Sequence, residues 1–331
     1  MIKPFGLKLS GFARFAWGVL VYNLAVILWG AYVRASGSGA GCGSHWPLCN
    51  GVVVPHTTRI ETLIEFTHRV MSGLAFLLVI ALLVIAFRLY QKGSMVRLGV
   101  SLSMLFMVSE ALLGAGLVLF ELVAENASLA RAFSMSFHLV NTFLLLASLS
   151  LTAWWASGGR PVQTKGKGLM LGLLALGMIG MLILGMSGAV TALGDTLFPA
   201  RSLAEGVQQD LSPTAHFLIR LRFLHPTIAI LVGLYLILVA RWLYLRRGDH
   251  VTALLAKILI ILIILQLSFG LVNVFLLAPI WMQILHLLLS DLLWIILVLL
   301  AANALSQRML VGSLMRSPQK TPISSSSETT T

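Results

Sequence analysis

The sequence predicts an all-α polytopic membrane protein, with eight transmembrane helices arranged as two tandem four-helix bundles related by a pseudo-two-fold axis along the membrane normal. Three observations lead there. Of 331 residues, 58% are hydrophobic and only 10% are charged, where a soluble domain carries about 25% charged residues. Basic residues gather in every second joint between the apolar runs. Short polar motifs buried in those runs recur once, half a chain apart.

Apolar runs long enough to cross a bilayer as helices fall at 14–34, 66–87, 98–120, 133–156, 168–190, 217–240, 252–277 and 281–305. The first follows a basic segment and precedes small residues (AYVRASGSGAG), as a signal peptide would. It is rather long for that, and its removal would leave an odd number of spans, so it is read as a retained span. The joints expected in the cytoplasm carry Lys3, Lys8 and Arg14, then Arg88, Lys92 and Arg97, then Arg160, Lys165 and Lys167. The later ones carry Arg241, Arg246, Arg247 and Lys257, then Arg308, Arg316 and Lys320. The alternate joints are acidic or sparse, with Glu121, Glu125, Asp195, Glu205 and Asp210. That asymmetry is the positive-inside pattern. It places both termini in the cytoplasm and accounts for the net charge of +12 without a nucleic-acid partner; the bilayer is the partner. Residues 307–331, polar and low in complexity, read as a disordered cytoplasmic tail.

The repeat appears when the spans are aligned. SEALLGAGLV in span 3 lies over LQLSFGLVNV in span 7, with Glu110 over Gln266 and Gly114 over Gly270. FTHR in span 2 meets FLHP in span 6 through His68 and His225, and span 4 meets span 8 through His138 and His286. The offsets are 156, 157 and 148 residues, so the halves run 1–157 and 158–306. An even number of spans per half inserts both the same way up, which makes the axis normal to the membrane.

Four of the eight histidines thus sit in spans that descend from the outer face, each roughly 5–15 Å deep by rise per residue. Ionisable groups at that depth are expensive and point to function. Two neutral imidazoles facing each other across a four-helix bundle can supply both axial ligands of a haem iron. Zinc would ask for more cysteine or carboxylate, and a proton relay for acids strung along the path. Two repeats then read as two haem sites in one leaflet. His138 has Ser134, Asn141 and Thr142 on the same helix face, groups able to orient its ring. Arg69, Arg220 and Arg222 cluster at the outer ends of spans 2 and 6, where they could hold propionates or simply snorkel to the interface.

The halves differ one turn above the ligands, with Glu65 three residues before His68 and Arg222 three before His225. A carboxylate there could handle protons at one haem while the other passes electrons; alternatively Glu65 pairs with Arg69. Cys42 and Cys49, the only cysteines, lie in the outer loop GCGSHWPLCNG. They read as a structural disulfide or as a redox-active pair beside the first site; His45 and His56 share that loop. Glu110 and Asp291, buried in spans 3 and 8, read as hydrogen-bonded structural groups or members of a proton path. Gly177, Gly180, Gly185 and Gly188 in span 5 would allow close helix approach, including in a homo-oligomer.

Taken together these residues resemble the haem A synthase family of the respiratory membrane, over residues 14–305. The carriers are GSGAGC, the C-x6-C loop with WPLC, EFTHR in span 2, HL in span 4, and HP and HL in spans 6 and 8. The resemblance implies a bacterial plasma-membrane oxidoreductase that converts the C8 methyl of haem O to a formyl group, giving haem A for the terminal oxidase. It implies His68 and His138 flanking the substrate haem, with Glu65 catalytic beside it. By the same likeness His225 and His286 would ligate a haem b cofactor, with Arg69 and Arg222 as further cofactor-binding residues, and Cys42 and Cys49 would be disulfide-bonded. Haem O would come from a farnesyltransferase partner; the electron donor or acceptor is not legible. The family pattern has Gln in span 3 where this chain has Glu110. A di-haem b, quinone-linked electron-transfer protein without ring chemistry is the alternative, and a transporter or a haem escort would be others.

Overall fold

The computed structural model of the chain describes residues 9–56 and 58–306; the expected tail lies outside them. Ten α-helices follow one another: α1 Gly11–Ala35, α2 Ile60–Leu89, α3 Met95–Leu119, α4 Leu129–Ala156, α5 Gly168–Leu197, α6 Leu203–Leu211, α7 Phe217–Arg222, α8 Leu224–Arg247, α9 His250–Phe275 and α10 Ile280–Leu305. Eight segments are long and apolar enough to cross a membrane, with α7 and α8 together forming the sixth, Phe217–Arg247. The chain is a multi-pass membrane protein.

Local chemistry sets the ends. Ser10, Ser94 and Ser128 accept the backbone N–H three residues on and cap α1, α3 and α4. Asp249 caps α9 by accepting from Thr252 N–H. Burial would raise its carboxyl pKa, but bonds from Thr252 and Asn303 and the Arg247 charge hold it below the ordinary value. Gly248, at φ 66°, makes the left-handed stop of α8. The break between α7 and α8 has a local cause. Pro226 has no N–H for the carbonyl of Arg222, and its ring crowds the preceding turn.

The sequence places the start of the second span at 66 and the end of the fifth at 190, but the helices run from Ile60 and to Leu197. Hydropathy marks only the apolar stretch, whereas a helix continues through amphipathic turns such as IETLIE. The α6 segment and the α7–α8 break were not expected.

In the first half α1, α2, α3 and α4 pack in a closed ring of neighbours, and α5, α8, α9 and α10 do so in the second. The halves meet through α1 and α4 on one side and α5 and α10 on the other. Exchanging α1 with α5, α2 with α8, α3 with α9 and α4 with α10 leaves this set of pairings unchanged. The packing is compatible with the expected pseudo-two-fold. Half of the most apolar stretch of α4 and of α10 is buried, against 11% for α9, so α4 and α10 form the shared spine and α9 lies at the periphery.

Across that spine Trp294 donates its indole N–H to the carbonyl of Phe143 at 2.6 Å, and the two rings stack with centroids 5.2 Å apart. Phe143 in turn presses on α5 at Gly185, where a methyl group would come within 2.8 Å of its ring. Gly177 and Gly180 likewise admit Leu236 and Val232 of α8, so the close approach that the glycines of span 5 permit is used inside the chain. Trp294→Ala should therefore destabilise the joint between halves by about 3–5 kcal/mol, read as a lowered thermal midpoint of the purified protein. Arg34 at the end of α1 adds a polar tie, donating to Ala192 O and Thr196 Oγ1 of α5 at 2.7 Å and to Gln283 Oε1 of α10 at 2.9 Å.

Candidate haem sites

Because α2 and α4 are diagonal in their ring, as are α8 and α10, side chains from each pair can meet across a bundle axis. All four span histidines do share one arrangement. A methyl group at Gly30 of α1 would sit 2.9 Å from Cε1 of His68, and one at Gly188 of α5 would sit 3.1 Å from Cε1 of His225. At Gly114 of α3 it would lie 3.7 Å from Nε2 of His138, and at Gly270 of α9 3.1 Å from Cε1 of His286. Each ring rests where the neighbouring helix has no side chain. Gly114 and Gly270 stand out in the sequence alignment; Gly188 was read only as a packing glycine and Gly30 was missed, although their separation of 158 residues is close to the repeat offset.

The rings of His225 and His286 lie 6.5 Å apart, centroid to centroid, and are inclined by 78°. Two metal–imidazole bonds of about 2 Å, added to the distance from ring nitrogen to ring centre, separate a bis-imidazole pair by roughly 6 Å. The spacing fits one iron between the rings. His225 Nδ1 is held at 3.0 Å by Ser187 Oγ of α5, a partner the sequence did not reveal. His286 Nε2 meets Gln266 Nε2 of α9 at 3.1 Å, while its Nδ1 is buried without a hydrogen-bond partner among the described residues. His68 Nδ1 is orphaned in the same way, and His138 Nδ1 lies 3.0 Å from Glu110 Oε1. Four imidazoles in an apolar bundle, two of them with an unmatched ring nitrogen, are a donor set that a haem iron takes.

Glu65 and Cys42 define what lies above the first site. The disulfide Cys42–Cys49 is formed, and both cysteines are buried. Glu65 is 4% exposed. Its Oε2 accepts from the Cys42 N–H at 2.8 Å, and its Oε1 accepts from Arg69 Nε at 3.1 Å and Nη2 at 2.5 Å. Arg69 Nη1 donates onward to the carbonyls of His45 and Leu48 at 2.6 Å. Gly41 touches the start of α2 so closely that a methyl there would fall 2.4 Å from Glu61 O. Glu65 and Arg69 thus clamp the cysteine loop onto α2 one turn from His68. The pairing of Glu65 with Arg69 weighed from the sequence is present. Here Arg69 is matched by protein acceptors.

In the second half Arg222 performs the corresponding task with the opposite charge. Its guanidinium meets Asp195 Oδ1 of α5 at 3.1 Å and Asp210 Oδ1 of α6 at 2.7 Å, and reaches Gln209 at 3.3 Å. It locks the loop helices over His225 as Glu65 locks the cysteine loop over His68. Arg220 is exposed. Asp291 of α10 is fully buried, with neither oxygen bonded among the described residues.

Residues 13–298 match the family described as COX15-CtaA, cytochrome oxidase assembly protein. The chain belongs to that family. A protein of Thermus thermophilus named "Protoheme IX farnesyltransferase" is 54% identical over 298 residues, which are 90% of this chain and 49% of that protein. A "Heme A synthase" of an Exiguobacterium species is 32% identical over 189 residues, covering 57% of this chain and 60% of that protein. Another, of Halalkalibacterium halodurans, is 37% identical over 151 residues, covering 45% and 50%. This COX15-CtaA chain spans about half the length of the curated relatives it matches. The matched segment of the family, 13–298, contains all four histidines, the cysteine loop and both loop clamps.

Proposed function

We propose that the chain is a haem A synthase, an oxidoreductase that converts the C8 methyl of haem O to a formyl group. The observation that carries this is the four-fold placement of an imidazole against a glycine at equivalent stations of two bundles. Two relatives named "Heme A synthase" support the activity. In this reading haem O is the substrate between His68 and His138, and His225 and His286 hold a resident haem b that exchanges electrons with it. His225 is held in orientation by Ser187 from its second nitrogen. Glu65 acts beside the substrate, fixing the cysteine loop that covers it. Arg69 and Arg222 shape the mouths of the two sites.

Orientation follows from charge, with both termini in the cytoplasm of a bacterium and the cysteine loop on the outer side of the plasma membrane. Haem O, a farnesylated and apolar ring, is best delivered within the bilayer. The relative named for farnesyl transfer, half of which is covered by this chain, supports a farnesyltransferase as the partner that hands it over.

The test is expression in a host that makes haem O but lacks haem A, followed by pigment extraction and mass analysis. The hydroxylated or formylated ring is expected. Recovery of haem B and haem O alone would overturn the reading and favour a di-haem electron-transfer protein.

A further inference from the structure

We propose that Glu110 is a positioning residue that acts through His138, fixing the ring's tautomer and making it a stronger donor to iron than its counterpart His286. This deepens the haem reading of the first site and rests on it.

The geometry around Glu110 is that of a built carboxylate cradle. Oε1 accepts from Thr142 Oγ1 at 2.5 Å and faces His138 Nδ1 at 3.0 Å; Oε2 accepts from Asn141 Nδ2 at 2.5 Å. Asn141 also donates to Phe106 O at 2.9 Å, and its Oδ1 accepts from Ser109 Oγ at 2.6 Å. Thr142 Oγ1 also lies 2.9 Å from His138 O, so its one proton is shared between two acceptors; with Asn141 donating to Oε2, the carboxyl stands as the acceptor facing the His138 ring. An acceptor on Nδ1 places the ring proton there and leaves the Nε2 lone pair free, on the side of Gly114.

The second bundle lacks this cradle. Gln266 stands in the place of Glu110 and meets the other nitrogen, Nε2, of His286 at 3.1 Å. Its Oε1 and His286 Nδ1 have no partner among the described residues. The repeat offset of 148 between α4 and α10 puts Leu289 and Ser290 where Asn141 and Thr142 stand. A neutral amide has replaced an acid, and one of the two donors flanking it has become a leucine.

Hydrogen bonding from the far nitrogen of a metal-bound imidazole to a carboxylate raises the ligand's basicity. A more basic axial ligand favours oxidised iron and lowers the reduction potential. The chain thereby distinguishes two sites with the same ligand set: the first favours oxidised iron, and the second remains the easier to reduce.

The test uses the full chain loaded with ferric protohaem, read by redox potentiometry and by low-temperature EPR. Two one-electron steps are expected, the lower belonging to the first site. In Glu110→Gln the lower step should rise toward the upper one, with one set of low-spin g-values displaced and the other unchanged. Thr142→Val frees Oε1 for His138 alone and should move the same step in the opposite direction, so it decides the matter if Glu110→Gln loses its first haem. Steps and g-values that stay put in both haem-loaded variants overturn the role of Glu110. A wild-type chain that binds two haems but titrates in a single step overturns the inference alone, and one that binds a single haem overturns the first haem site as well.

Discussion

Replacing His286 by alanine is expected to empty the second site of haem while leaving the eight spans folded. Among the described residues the ring meets Gln266, the gap at Gly270 and the edge of His225, so its loss removes little packing. The spine of α4 and α10 further along, with Trp294 against Phe143, is untouched. Loss of a partner that merely orients a ligand weakens metal binding about 10–100-fold, and loss of the ligand itself should exceed that. The haem-to-protein ratio of the purified variant, measured by absorbance, should fall to the level of the first site alone. Product formation should fall with it if, as proposed, the haem held there carries the electrons. Full haem content in His286→Ala would remove His286 from the ligand set.

Glu65→Ala should have the second large effect, and in the other half. The substitution withdraws the acceptor from the Cys42 N–H and the counter-charge from Arg69 in one step. Breaking a buried pair from one side typically costs about 3–5 kcal/mol. Here that loss is local, releasing the loop from α2 above His68. Haem b retained and formylated product lost is the expected result, measured on extracted pigment and on the purified protein. Unchanged product yield would show that neither the acid nor the loop it anchors takes part. Arg222→Ala offers the mirror experiment. It leaves Asp195 and Asp210 facing each other without the guanidinium, and haem b should be the species lost.

Much of this was legible in the sequence because polar groups in apolar runs stand out. The eight spans followed from hydropathy and charge, and the histidine layer from the offsets between motifs. The neighbourhood of each ring was less accessible. Ser187 and Gly188 face His225 only because α5 and α8 pack with a particular rotation about their axes, which no spacing within one helix encodes. The pairing of Arg69 with Glu65 could be weighed from the sequence, but its further partners, the loop carbonyls of His45 and Leu48, carry no side-chain signature. Glu110 could be aligned with Gln266, but its contact with His138 depends on α3 and α4 lying side by side. The α7–α8 break was readable in principle from Pro226, yet an unbroken apolar run concealed it.

The most direct measurement is a cryo-EM map of the full chain loaded with haem. One porphyrin is expected with its iron between His225 and His286, and a second between His68 and His138, both at the depth of the four glycines. Porphyrin density bound elsewhere, or iron held by any other side chains, would contradict the central claim that paired imidazoles from diagonal helices hold the haems.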